Sequence, residues 1–368
     1  MALLAAESKF NVVLIVARAW RGVSTPWTGD PDLRAPNLEQ FGKTAVVFPR
    51  AYACDPQSDP ARSGILTGRY PHATGVTEDG APLRTEEVTL DSIFKLAGYR
   101  TGDRLDSIET DRDAPFFLNL TLTEDTLKAA PSVDPSTLHL RENIPSGTDA
   151  DVRRKLAQRY AAYASLDQQL GKILAALDRR NLAQKTIVVF TADRGEQIGS
   201  HGLDGDGVWF EESVRVPFAI HHPRAQPFAS DVLASQVDIV PTLLALCGEP
   251  AFEGLQGHDL SELLLGQKAD RPESVFSEGK LGGSEGKLGG SEGKLGEKDE
   301  WRMLVLGSDK LVVDGSGAVT HLYNLAEDPY ELTNLAHEPS IQLQLKRDQL
   351  LAILRSTRQK LLDFRRRS

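Results

Sequence analysis

Two stretches constrain this chain more than any others. "NVVLIVARAW" (11–20) and "TIVVFTAD" (186–193) are unbroken apolar runs rich in β-branched residues. A strand with one wet face alternates polar and apolar residues, and these do not. Both faces must be covered, as in a parallel sheet sandwiched between helices. The segments between them supply the helices. "APNLEQFGKTAVVF" predicts a short helix and a second strand, and "TLDSIFKLAGYR" (89–100) an amphipathic helix closed by Gly98. "APFFLNLTL" (114–122) predicts a strand. From 151 to 180, Leu156, Tyr160, Tyr163, Leu170, Leu174 and Leu177 recur at helical spacing. "VPFAIHHP" and a helix from Ser235 to Cys247 complete the alternation. The fold class expected is α/β, a mostly parallel central sheet with helices on both faces.

After about residue 270 the character changes. "SEGKLGG" stands at Ser277 and again at Ser284, and "SEGKLGE" at Ser291. Seven residues with one Leu cannot form a solenoid unit or a coiled-coil seam. Residues 271–299 are therefore expected to be a flexible Gly-rich insert, with 277–297 exposed and burying little. "WRMLVLGSDKLVVD" and "VTHLYNLAEDPYELTNLA" then predict a small antiparallel sheet and a helix beginning near Pro339. The expected division is 1–270, the insert 271–299, and a C-terminal subdomain 300–368.

Composition excludes several classes. The formal net charge is −10 over 368 residues, which argues against non-specific nucleic-acid binding, since that needs a basic face. Two cysteines, Cys54 and Cys247, are too few for a disulfide framework or a cysteine-built zinc site. No apolar run is long enough to span a bilayer. "MALLAAESKF" has neither a basic start nor an apolar core of signal length. The location expected from it is cytoplasmic, or periplasmic or secreted if translation starts upstream.

One further stretch carries chemistry. "SDPARSGILTGRYPHATGV" (58–76) follows the second strand, and the blocks "LDSIFKLAGYRT", "PFFLNL", "TIVVFTADRGEQIGSHGL", "EESVRVPFAI", "SQVDIVPTLLALCG" and "LYNLAEDPYELTNLA" come after it in order. In this series the chain resembles the sulfatase family of the alkaline phosphatase superfamily over nearly its whole length. The resemblance implies that fold, with the strands at 11–16 and 186–192 adjacent near the sheet centre and Ser58 at their carboxyl ends. It also implies a formylglycine nucleophile in a Cys/Ser-x-Pro/Ala-x-Arg signature, matched here by Ser58 and Arg62 as the catalytic positions. Family members place a divalent cation, usually calcium, on that group and on the sulfate.

Against the family pattern the chain departs at several places. The acidic pair that ends the first strand reads Ala17-Arg18, and the Asp-His or Asp-Asn after "TIVVFTAD" reads Asp193-Arg194. The lysine before "EESVRVP" reads Asp206, the histidine after "PFFL" reads Thr126, and the Gly-Lys-x-His loop is missing. Only Asp193 survives as a metal-ligand position, while calcium takes about 6–8 oxygens. The resemblance so qualified implies a degenerate member, a pseudoenzyme. It would bind a sulfate- or phosphate-bearing small molecule or glycan on Arg18, Arg62 and Arg194 with no cofactor. Arg18 or Arg194 is expected to pair with Asp193, and unmodified Ser58 to serve as a helix N-cap. The alternative is an active sulfuric ester hydrolase with calcium and formylglycine derived from Ser58.

Overall fold

The computed structural model describes residues 9–104, 106, 114–124, 133–281 and 299–367, with side chains described up to residue 356. Thr126 lies outside the described residues, as do the repeat copies at 284 and 291.

In chain order the α/β part comprises β1 (Asn11–Ala17), α1 (Pro36–Gly42), β2 (Val46–Val47), β3 (Ala51–Tyr52), α2 (Ser58–Thr67), α3 (Pro71–Thr74), α4 (Leu90–Leu96), β4 (Arg100–Gly102) and β5 (Phe116–Leu122). It continues with α5 (Asp149–Arg179), β6 (Thr186–Ala192), β7 (Gln197–Ile198), β8 (Asp204–Gly205), α6 (Glu211–Val214), β9 (Phe218–His221), β10 (Phe228–Ala229), β11 (Ala234–Ser235), α7 (Ile239–Leu246) and α8 (Ser261–Leu264). The main sheet has the order β10-β2-β9-β6-β1-β5-β4. β1 lies parallel between β5 and β6, with Ala17 beside both Leu122 and Ala192. β9 alone runs antiparallel to its neighbours β2 and β6. Every residue of β1 and β6 is buried, which is why neither sequence alternates. The expected α/β sheet and its central pair of strands are both present.

The second part is a four-stranded antiparallel sheet, β12 (Ser274–Lys280), β13 (Glu300–Leu306), β14 (Asp309–Asp314) and β15 (Val319–Asn324), followed by α9 (Ile341–Arg367). Here the sequence reading needs a correction. The subdomain begins at 274, not 300, because the first repeat copy is not an exposed linker. Its Ser277–Lys280 pair with Met303–Glu300 in β12, and Ser277 and Glu278 are buried. Val275 and Phe276, just upstream, supply the apolar anchors that the repeat lacks; both are buried.

Three apolar clusters fill the described residues, one of them joining Cys54, Tyr70 and Val237 to Phe276, Leu304 and Leu350. A second surrounds the main sheet. The third gathers Trp209, Phe210 and Val214 from around α6 with Trp301, Met303 and Tyr323 from the C-terminal sheet. That third cluster fuses the two parts through α6. Among the described residues no helix is long and apolar enough to cross a membrane.

Candidate functional site

The carboxyl ends of β1, β5 and β6 converge on the start of α2. Asp55 shapes the approach: its Oδ1 accepts the Gln57 N–H at 3.0 Å, closing an Asx-turn. Gln57 is then extended and stands as the helix cap, so Ser58 is the first helical residue and not the N-cap expected. Ser58 is buried. Its hydroxyl oxygen instead accepts a hydrogen bond from Arg194 Nε at 3.2 Å. Burial, with Glu278 nearby, pushes the Asp55 carboxyl well above its ordinary range.

Asp193 and Arg194 follow β6 directly. The Asp193 N–H donates to Ala17 O at 3.0 Å, and its Oδ1 accepts the Ala19 N–H at 2.9 Å. Ala19 has a φ of 51°, a left-handed conformation uncommon for a residue with a Cβ. That carboxylate thus pins the tight bend leaving β1. Asp193 Oδ2 is buried and has no hydrogen-bond partner among the described residues.

The expected pairing of Asp193 with Arg18 or Arg194 does not form. Arg194 Nη1 reaches Asp206 Oδ2 at 2.9 Å. Asp206 is delivered by the segment between β8 and α6. There the Gly207 N–H donates to Pro56 O at 3.2 Å, and Gly207 O accepts from Trp301 Nε1 at 2.9 Å. So the C-terminal sheet, through Trp301, helps seat the residue that holds Arg194. The resulting pair is nearly dry, with Arg194 15% and Asp206 3% exposed.

Arg62 lies one turn into α2 and donates from Nη2 to Thr121 Oγ1 at 2.5 Å. Thr121 sits on β5 and Arg194 follows β6, so β1 lies between the two strand ends, while the Arg194 guanidinium reaches Ser58 one turn from Arg62 on α2. Arg18 is exposed; its backbone N–H bonds Leu122 O at 3.1 Å, and its side chain makes no ion pair among the described residues. The structure thus brings Ser58, Arg194 and Asp206 into contact, leaves Asp193 beside them without an ion pair, and anchors Arg62 at the neighbouring strand end.

Sequence reasoning missed the layer behind these groups. Arg21 is buried, and its Nε donates to Glu196 O at 2.8 Å. Arg159 from α5 donates to Glu196 Oε2 at 2.8 Å and also pairs with Glu124. Burial raises the Glu196 carboxyl, although Arg159, Arg21 and Arg194 pull it down. Arg21 was discoverable, since an arginine four residues past a buried strand must find a partner or leave the core.

The donor set does not fit calcium. Asp193 offers one carboxylate oxygen with no hydrogen-bond partner among the described residues, Asp206 is held through Oδ2 by Arg194, and a guanidinium has no lone pair to give. Calcium takes about six to eight oxygens.

A family model described as Sulfatase matches residues 10–137 and 109–249. The chain is similar to arylsulfatase K of Danio rerio, 31% identical with 89% of this chain and 80% of that protein covered. It is similar also to choline-sulfatase of Rhizobium meliloti, 30% identical with 90% and 83% covered. Among solved structures it resembles the phosphonate monoester hydrolase of Agrobacterium radiobacter, with a TM-score of 0.79 at 19% identity, covering 98% of this chain and 96% of that one. The order of the sheet, the helix that starts at Ser58 and the extent of these matches agree, and the chain belongs to the sulfatase family.

Proposed function

We propose that this chain is a degenerate sulfatase that binds a sulfate- or phosphate-bearing small molecule or glycan through arginine, with no metal cofactor and without hydrolysis. The observation that carries the reading is the Arg194 contact. Where a metal-activated hydrate would need a divalent cation, Ser58 Oγ receives a guanidinium N–H, and that guanidinium is neutralised by Asp206. Arg62 makes no hydrogen bond among the described residues beyond the one to Thr121. Arg18 is exposed beside the end of β1. Guanidinium groups fork onto tetrahedral oxyanions as they do onto carboxylates. Among the described residues, no side chain with a general acid's pKa and no activated nucleophile is found in contact with Ser58, Arg62 or Arg194.

One observation favours a second reading, an active sulfuric ester hydrolase with calcium and a formylglycine derived from Ser58. Asp193 Oδ2 is a buried carboxylate oxygen without a partner among the described residues, and such an atom suits a cation. Calorimetry with sulfate in EDTA, turnover of an aryl sulfate with added calcium, and the mass of the Ser58 peptide separate the two. The first reading expects metal-free sulfate binding weakened by Arg62→Ala, no turnover and an unmodified serine. Calcium-dependent turnover that disappears in Ser58→Ala would overturn it.

A further inference from the structure

The free edge of β5 borders an open cleft of about 580 Å³. β4 pairs with β5 only as far as Gly102 beside Leu118. Beyond that point Leu120, Thr121 and Leu122 have no strand on the outer side among the described residues, and all three line the cleft. The opposite wall is α5. Gln169 fixes it there, donating from Nε2 to Thr123 O at 2.9 Å. From Gln169 the wall continues through Lys172, Ile173, Ala176, Arg179 and Arg180. Steps of three and four residues keep these on one helix face, and eleven residues at 1.5 Å each make that face roughly 16 Å long.

A run of charge on a helix is ordinarily a solvated face laced with ion pairs. The first half of α5 is of that kind. Arg154 and Lys155 pair with Asp151, Lys155 also with Asp204, and Arg159 with Glu124 and Glu196. The second half is not. Lys172, Arg179 and Arg180 make no ion pair among the described residues, and no acid stands three or four residues from any of them. Across the cleft, Arg104 and Asp106 neutralise each other, with Nε and Nη2 at 3.2 and 3.1 Å from the carboxylate. Asp103 is the one lining carboxylate set against the three α5 cations. Asp91 approaches Asp103 from α4, and Asp178 belongs to α5, but neither lines the cleft.

Thr121 connects the cleft to the candidate site. Its Oγ1 accepts from Arg62, and the carbonyl of its neighbour Leu122 accepts the Arg18 N–H. A ligand seated on Arg62 and continuing past Thr121 therefore enters a channel with unneutralised cations along one side. Between them the walls are aliphatic, Leu120, Leu122, Ile173 and Ala176, with no aromatic ring among the lining residues. Single-stranded nucleic acid is held by stacking on such rings. A sulfated sugar chain needs spaced cations instead.

We propose that this cleft binds the continuation of a sulfated glycan, with one sulfate on Arg62 and at least one more on Lys172, Arg179 and Arg180. The Arg62 contact rests on the proposed function; the cleft itself does not.

The test is calorimetry on the full chain in EDTA, with a heparin-derived tetrasaccharide and with inorganic sulfate. Lys172→Gln with Arg179→Gln and Arg180→Gln should weaken the tetrasaccharide about tenfold or more and leave sulfate within about twofold. It should also flatten the salt dependence of tetrasaccharide binding. Lys43→Gln with Arg154→Gln and Arg271→Gln removes as many exposed charges elsewhere and should bind as the parent does. Equal weakening in both variants, or none in either, overturns the cleft. Poly(U) held as tightly as the tetrasaccharide, and weakened by the same α5 variant, overturns the glycan. So does a gain of about tenfold when Glu109, Asp111 and Asp113 are changed to Asn or Gln, since that acidic stretch would then be the occupant. Tetrasaccharide binding that needs the α5 cations, with no sulfate binding and no effect of Arg62→Ala, upholds the cleft and sinks the proposed function. Sulfate binding lost in Arg62→Ala, with a tetrasaccharide indifferent to the α5 variant, does the reverse.

Discussion

Arg194 answers to three neighbours: Ser58 Oγ, Asp206 Oδ2 and, through the next residue, the backbone of α6. Removing its charge takes from the buried Asp206 carboxylate the cation 2.9 Å away. Arg194→Met should cost about 3–5 kcal/mol for that reason, measured by urea unfolding, and should weaken sulfate binding. A loss under about 1 kcal/mol would show that water reaches Asp206 and solvates it. Asp206→Asn together with Arg194→Met should recover part of the loss, because both charges are then gone. Gly195→Ala tests the same contact from the other side. Its new Cβ would meet Glu212 O at 2.1 Å, and about 1–3 kcal/mol of overpacking is expected. At this scale the sequence was half legible. Arg194 and Asp206 were recognisable as altered positions and Asp193 as the retained one, because each sits at a fixed distance from a strong strand or a quoted block. Their partnerships were not. Arg194 takes Asp206 over Asp193 only because the 206–207 segment is seated on Pro56 and Trp301, and such loop placement leaves no periodic trace.

Among the elements, β12 shows how composition misleads. "SEGK" has one Gly in four residues and no apolar side chain, which reads as linker. Yet Gly279 is needed where it stands, since a Cβ there would lie 2.7 Å from Trp301 Cζ2 and Trp301 is buried. Glu278 is recruited by His72, whose N–H and Nδ1 lie 2.9 and 2.7 Å from Glu278 Oε1. Lys280 O accepts from Gln57 Nε2 at 3.0 Å, so this copy of the repeat buttresses the turn leading to Ser58. Identical copies cannot replace it without losing the preceding Val275 and Phe276. Phe276→Ala should therefore destabilise by about 3–5 kcal/mol. Deleting Ser284–Glu297 should leave the melting temperature within a few degrees. Leu281, Gly282, Gly283, Lys298 and Asp299 then remain to close a hairpin whose strand ends, Lys280 and Glu300, already face each other. A large drop on that deletion would show that the later copies pack on the core. The strands β1 and β6 were legible for the opposite reason: burial on both faces writes itself directly into residue type.

Across the whole molecule, buried titratable groups make stability depend on pH with a definite sign. Burial, with Arg224 and His221, holds the His222 ring down to about 4; burial, with Lys310, His337 and His201, holds His321 down to about 4. The unfolded chain takes up those protons near pH 6.5, so between about 6.5 and 4 the unfolded state binds more protons and stability falls as the solution is acidified. Glu212 extends the loss. Burial alone would raise it, but Arg141, Arg21 and Asn143 hold it down to about 2, so its contribution disappears as pH falls from about 4.5 toward 2. Glu331 opposes the histidines. Its carboxyl is raised to about 7, so its contribution is complete below about 4.5 and is lost as pH rises through 7. The two histidines together outweigh one glutamate, and the parent should lose stability from about pH 6.5 downward, by on the order of 1–3 kcal/mol per histidine. Thermal melts of the parent, of His222→Asn with His321→Phe, and of Glu331→Gln resolve the two contributions. Removing both histidines should turn the slope between about pH 4 and 6.5 shallow or negative, because Glu331 then acts alone. Glu331→Gln should steepen it. An unchanged slope in the double-histidine variant would mean that these rings take up their protons in the folded chain as easily as in the unfolded one, and that water reaches both.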